Sequence, residues 1–200
     1  MEFKIENTQV YGLSKSMIAS GNAMRTTMQD NELEANEKDL KRACNLGSTK
    51  SGEGHDNFLN GIIVQFDLYA PLFMWKQLQR YHFLDFISSQ STMHRLTKFN
   101  VAECCVGDTD EVILERYQQL LNSYHYYEEH NQKEEAKELW RTLVASLPSG
   151  FVLGATMTTN FRQLKTIYLQ RRNHKLSEWH DFCNWCESLP YFKELCLGGN

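Results

Sequence analysis

Ala70-Pro71-Leu72-Phe73-Met74-Trp75-Lys76-Gln77-Leu78-Gln79-Arg80 and, later in the chain, Asn160-Phe161-Arg162-Gln163-Leu164 decide how this sequence folds. Each begins apolar and then presents polar and cationic side chains, as a strand running into a helix does. Ahead of the first, Ile62 to Tyr69 is β-branched and then alternating, the pattern of a half-buried strand. Pro71 sits where a first-turn proline belongs, because its missing N–H would be unpaired there anyway. A helix is predicted from Leu72 to about Leu84. The second stretch reads as a strand over Phe151 to Thr159 followed by a helix from Phe161 to Arg172.

The rest of the chain fills in around these junctions. A polar stretch from Gln29 to Lys38 reads as a loop leading into a short helix, Asp39 to Leu46, that Gly47 stops. Ser48 to Asn60, with Gly52 and Gly54, reads as a flexible loop. Asp108 or Thr109 is placed to cap a helix with the apolar stripe Ile113, Tyr117, Leu120, Leu121 and Tyr124. A partner helix from about Gln132 repeats the period with Ala136, Leu139, Trp140, Leu143 and Leu147, and ends at Pro148. Glu128-Glu129-His130-Asn131 separates the two, and Ser177 is placed to cap a C-terminal helix. The expected architecture is α/β or α+β, a small, mostly antiparallel sheet surrounded by helices, in one domain spanning 1–200.

Composition narrows the function classes. The 200 residues are 42% hydrophobic with a formal net charge of −4. That is enough apolar material for one core, with no basic field to hold a long nucleic acid. A single nucleotide needs only a local basic pocket. No stretch reaches the roughly eighteen apolar residues of a membrane span. Met1 to Lys4 lacks the charged-then-apolar order of a signal peptide, so the expected location is cytoplasmic.

Six cysteines are too few for a disulfide scaffold. Cys183 and Cys186 form a C-x-x-C inside a helical pattern, which puts both sulfurs on one face. A zinc site would need two further soft ligands, and no second C-x-x-C or H-x-x-x-H is present. Reduced, partly buried thiols are expected, and no metal. Tyr124-His125-Tyr126-Tyr127 has the look of a base-stacking platform, but Tyr124 belongs to the core stripe and its neighbours to a surface.

Four side chains stand out as candidate ligand groups. Gln77 and Arg80, three apart, share a face if the helix from Leu72 continues; an amide and a guanidinium there can grip a carbonyl–imide edge and a phosphate. Asn160 and Arg171 are three turns apart, about 16 Å along the axis, and point the same way. The plainer reading of each pair is a solvated helix surface, with Asn160 as a helix cap and Arg171 complementing the C-terminal dipole.

Order and spacing add a further reading. Ala70-Pro71, then Trp75-Lys76-Gln77 and Arg80, is similar to a segment of the flavin-dependent thymidylate synthases in which an alanine-proline turn opens a helix reading W-R-Q-x-x-R-H-R. Asn160-x-Arg162-x-Leu164, with Arg171 eleven residues after the asparagine, resembles the family's N-x-R-S-L…L-R. Leu147-Pro148 matches a leucine-proline pair at the family's offset, and Gly54-His55-Asp56 looks like its G-H-E. The resemblance covers roughly His55 to Arg172 and implies the fold of thymidylate synthase-complementing proteins.

It also implies a flavin-dependent methyltransferase of nucleotide biosynthesis. The expected form is a homotetramer with FAD across subunit interfaces and dUMP on the flavin. Methylenetetrahydrofolate would be the carbon donor and NADPH the reductant. Carried over residue by residue, Gln77 and Arg171 would hold dUMP, and Ser91 and Arg141 are further expected contacts to it that do not fall on matched positions. Arg80 would sit between nucleotide and flavin, and Arg80 and Arg171 would be the catalytic cations. His55, His82, Asn160 and Arg162 would contact FAD.

The match breaks at several of the family's polar positions. R-H-R becomes Arg80-Tyr81-His82; Ser91 fits the serine of S-G-R only after a one-residue slip that puts Met93 at the arginine. Val144 replaces another arginine, and Gly61 replaces a histidine. Each lost charge-assisted bond removes roughly 1.5–3 kcal/mol. Arg141 and Arg95 are the expected substitutes, with His82 pairing a phosphate when protonated. The alternative is a relative that keeps the scaffold as a nucleotide-binding or oligomeric interaction protein without thymidylate synthesis, or that modifies another pyrimidine.

Overall fold

The structure, a computed structural model, describes residues 1–28, 33–50 and 52–199. The part of the predicted polar loop at 29–32, and Ser51 in the predicted loop 48–60, lie outside the described residues. In chain order the elements are β1 (Lys4–Tyr11), α1 (Leu13–Ala19), α2 (Glu37–Gly47), β2 (Ile63–Pro71), α3 (Leu72–Leu78), β3 (Asp85–Ser89), α4 (Thr92–Arg95), α5 (Val101–Cys104), α6 (Glu111–Glu129), α7 (Lys133–Ala145), β4 (Val152–Asn160), α8 (Phe161–Arg171) and α9 (Ser177–Ser188). The strands form one small antiparallel sheet in the order β1-β2-β4-β3. The expected sheet-and-helix class is what forms. No helix among the described residues is long and apolar enough to cross a membrane.

The chain divides into two compact units: Met1–Lys4, Leu68–Leu78 and Ser88–Ala155 make the first, and Ile5–Asp67, Gln79–Ile87 and Thr156–Asn200 the second. The core of the first unit joins Leu96, Val101, Cys105, Tyr117, Leu121, Leu143 and Phe151. The Tyr117 hydroxyl, buried with that apolar set, donates to Leu143 O at 3.0 Å, which satisfies the one polar atom it brings inside. The first amides of α3 need no cap, because Leu72 N–H donates to Phe151 O at 3.0 Å and Phe73 N–H to Ser149 O at 3.1 Å. Pro71 therefore ends β2 instead of occupying the first helical turn.

Two details of this unit differ from expectation. Asp110, not Asp108 or Thr109, caps α6, accepting from Val112 N–H and Ile113 N–H. Thr109 is held in the preceding turn by its N–H bond to Val106 O. Ile113 of the expected stripe is 51% exposed, and Leu114 packs against the core. The break is shorter than the expected 128–131 and falls later: Glu128 and Glu129 still belong to α6, and the chain turns at 130–132, with Asn131 in the left-handed region at φ 56. α7 stops at Ala145, before Pro148.

In the second unit, α2 starts at a capping box: the Asn36 side chain accepts from Lys38 N–H and Asp39 N–H, and the Asp39 carboxylate accepts from Asn36 N–H. Gly47 is the last residue of α2, as expected, but it ends the helix without a left-handed turn. A Cβ there would sit 2.2 Å from Leu195 O, so glycine is required by close backbone approach. Residues Asn57–Gly61 form a short 3₁₀ turn within the stretch expected to be a loop. α8 buries Phe161, Leu164 and Ile167 completely, and α9 faces Trp179, Phe182, Cys183 and Cys186 inward. The cap of α9 is Leu176, and Ser177 is its first residue.

α3 ends at Leu78, not near Leu84. Arg80 falls in the turn beyond it, so no helical face pairs Gln77 with Arg80. The turn is fixed by contacts within the second unit. Phe83 adopts φ 60, and its carbonyl accepts from Thr159 Oγ1 at 2.7 Å.

Candidate functional site

α8 organises the polar side chains of the second unit. Asn160 is buried at the end of β4 and its Oδ1 accepts from Gln163 N–H at 2.9 Å, so it is the helix cap. Phe161 N–H bonds Ile62 O at 3.0 Å, which locks the helix start to the beginning of β2. From that fixed start the helix carries Gln163, Thr166 and Gln170 along one side, with Arg162 and Arg171 flanking them.

Two adjoining clefts lie along this side. One, of about 560 Å³, is lined by Arg80, Tyr81, His82, Gln163, Gln170 and Arg171 among others. The second, of about 250 Å³, is lined by Asp56, Asn60, Asn160, Arg162 and Gln163. Phe83 and Thr166 border both. The second unit thus brings together five of the residues singled out from sequence: Arg80, His82 and Arg171 in the larger cleft, Asn160 and Arg162 in the smaller. His55 is exposed on a turn and lines neither. Gln77, Ser91 and Arg141 belong to the first unit, where Gln77 is half-buried, Ser91 caps α4 by accepting from His94 N–H, and Arg141 is exposed on α7.

Arg171 is held firmly. Its Nε donates to the Tyr81 hydroxyl at 2.7 Å, and that hydroxyl donates on to Gln170 Oε1 at 3.1 Å. The guanidinium lies 4.7 Å from the Trp179 ring centroid and 5.6 Å from that of Tyr81, a cation–π arrangement on two sides. Trp179 is completely buried, so the stacking surface cannot drift.

Arg162 is held by a carboxylate. Asp56, 1% exposed, accepts from Arg162 Nε at 3.1 Å with one oxygen and from Lys165 Nζ at 3.1 Å with the other. Lys165, 2% exposed, also donates to Gly47 O and Thr49 O, each at 2.7 Å. All three ammonium protons are therefore used, which is what a buried lysine requires. Arg162 remains partly exposed beside the smaller cleft. Asp56 and Lys165 were not picked out from sequence as a pair. The available signal was a lysine at a core-facing position of α8, next to Leu164 and Ile167.

The cysteines lie away from these clefts' linings. Burial, reinforced by Glu187, pushes Cys183 up to about 11, and burial also raises Cys186 and Cys196 strongly. All six thiols are free, and among the described residues no group of His, Cys, Asp and Glu could hold a metal ion. What the clefts offer is guanidinium, imidazole, amide and hydroxyl groups in partly desolvated surroundings. That donor set fits an anionic, hydrogen-bonding ligand such as a nucleotide or the diphosphate of a dinucleotide.

No protein-family model matches the chain, and no curated protein matches its sequence. Among solved structures, a crystal structure of the flavin-dependent thymidylate synthase ThyX from Helicobacter pylori, complexed with FAD and dUMP, is similar at 16% identity and a TM-score of 0.69, over 97% of this chain and 96% of that one. A second crystal structure of Thymidylate Synthase X (ThyX) from the same organism, with FAD and dUMP, is similar at 15% identity and a TM-score of 0.70, over 96% of each chain. The likeness shows that the fold is that of ThyX across nearly the whole length.

Proposed function

We propose that this protein binds a pyrimidine nucleotide of the dUMP kind together with FAD, and that it transfers one carbon to the uracil ring when methylenetetrahydrofolate and NADPH are present. The observation that carries this reading is the convergence of Arg80, His82 and Arg171 on one cleft, within a fold shared with proteins crystallised with FAD and dUMP. In this reading 1–200 works as one domain, the protein acts as a homotetramer, and it works in the cytoplasm.

The roles follow from side-chain chemistry. Arg171 and Arg80 hold the nucleotide. Arg80, His82, Asn160 and Arg162 face FAD. When bound, FAD supplies the redox chemistry. The chain's own contribution is orientation and charge: Arg80 and Arg171 favour negative charge where it develops on the substrate. Arg162, fixed by Asp56, holds an anionic group beside the cap of α8.

A second reading is favoured by the residues Met93, Val144 and Tyr81 standing where the family has arginines and a histidine. In it the cleft binds a nucleotide without thymidylate synthesis. Spectroscopy of the purified protein separates the two. The first reading predicts a yellow protein whose flavin absorbance bleaches anaerobically with NADPH, and dTMP formation from dUMP when the folate is added. A colourless protein that dUMP stabilises against heat supports the second. If neither FAD nor dUMP shifts the melting temperature, both readings fail.

A further inference from the structure

We infer that Tyr81, which stands where the R-H-R of the resembling family has a histidine, is a positioning residue for nucleotide recognition: it presets Arg171 through its hydroxyl. The inference rests on the proposed nucleotide-binding role of the larger cleft. It is carried by geometry peculiar to this chain. Tyr81 lines the cleft with Arg171, accepts the Arg171 Nε–H at 2.7 Å and passes its own proton to Gln170 Oε1 at 3.1 Å. Its ring meets Trp179 edge-on at 6.3 Å, and Trp179 carries the guanidinium on its face.

An arginine side chain loses considerable rotamer freedom when it grips a ligand, and a planar fork fixed in advance loses less. Here the plane is set by Trp179 and the rotation within that plane by the Tyr81 oxygen. A phenol suits this task because it accepts and donates at one atom. A histidine in its place accepts from Nε–H only while unprotonated, and once charged it repels the guanidinium.

The test uses the full-length protein reconstituted with FAD and titrated calorimetrically with dUMP. Tyr81→Phe keeps the ring and removes the oxygen, and is expected to weaken dUMP binding about tenfold, the effect of losing one hydrogen bond to a charged group. Tyr81→His is expected to bind close to wild type at pH 8 and to lose affinity relative to the wild type measured at the same pH as pH falls through about 6.5, a comparison in which the titrations of His82 and of the dUMP phosphate are common to both proteins. In an Arg171→Ala background Tyr81→Phe should change nothing further. Wild-type binding with Tyr81→Phe equally tight overturns the inference and leaves the nucleotide reading intact. So does weakening that tracks a fall in melting temperature and that histidine does not rescue, since that describes packing alone. No dUMP binding by the wild type overturns the nucleotide reading itself.

Discussion

Lys165 Nζ lies 3.1 Å from Asp56 Oδ2, and both side chains are 2% exposed, so the second unit closes over a complete ion pair. Asp56 also holds Arg162 at 3.1 Å beside the smaller cleft. One carboxylate thus ties a core lysine to a cleft-lining arginine.

Removing that carboxylate strands a buried ammonium. Asp56→Ala is expected to destabilise the protein by about 3–5 kcal/mol, as breaking a buried pair does. Arg162→Ala, on a side chain that is partly exposed, should lose less than about 1 kcal/mol. Urea denaturation of the two variants checks the order. Equal stabilities would contradict the buried-pair account.

Acid sensitivity is expected at Asp39. Burial alone would raise its carboxyl, but the Arg42 hydrogen bond, the Asn36 N–H and the charges of Arg42 and Arg25 prevail and hold it below its usual 3.8. With the folded value depressed, the stabilisation is present above about pH 4 and is lost as pH falls through the folded value. Asp39→Asn should therefore be less stable than wild type at neutral pH, and the gap should narrow below pH 3.8. Thermal denaturation between pH 6 and pH 3 measures it.

Gly47 gives a steric prediction. Gly47→Ala places a methyl 2.2 Å from Leu195 O, against backbone that must move. A loss of about 1–3 kcal/mol is expected, the usual range for overpacking. Were Gly47 a helix terminator without such a neighbour, alanine would be nearly neutral.

The elements legible in the sequence are those whose pattern is set by a buried face. β2 and β4 alternate or run apolar because one or both sides are covered, and α6, α7 and α8 show helical periodicity for the same reason. β3 was missed because all five residues are exposed, and β1 because most of its residues are. With no buried face, neither strand leaves a period to read. The end of α3 was misplaced because the chain beyond Leu78 is bent by distant partners, Thr159 on Phe83 O and Arg171 on Tyr81. Of the candidate site, the cationic residues were visible as types at helical spacing. The groups that orient them, Asp56, Tyr81 and Trp179, come from other parts of the chain, and spacing within one helix cannot show them.

Thiol reactivity is expected to be low. Cys183, Cys186 and Cys196 are buried and their thiols are pushed upward by burial, Cys183 to about 11. At pH 8 all three should resist a thiolate-specific reagent in the native protein and react on unfolding, because the thiolate is the nucleophile. Rapid native labelling of Cys186 would contradict the packing of α9.

The most direct measurement is a calorimetric titration of dUMP into FAD-reconstituted protein, wild type beside Arg171→Ala. A cleft in which Arg80 and Arg171 hold a nucleotide predicts saturable binding by the wild type and at least tenfold weaker binding by Arg171→Ala, measured at a temperature where both ligand-free proteins are folded. Saturable binding that is identical in the two proteins would place the nucleotide elsewhere, and the account of this cleft would be wrong.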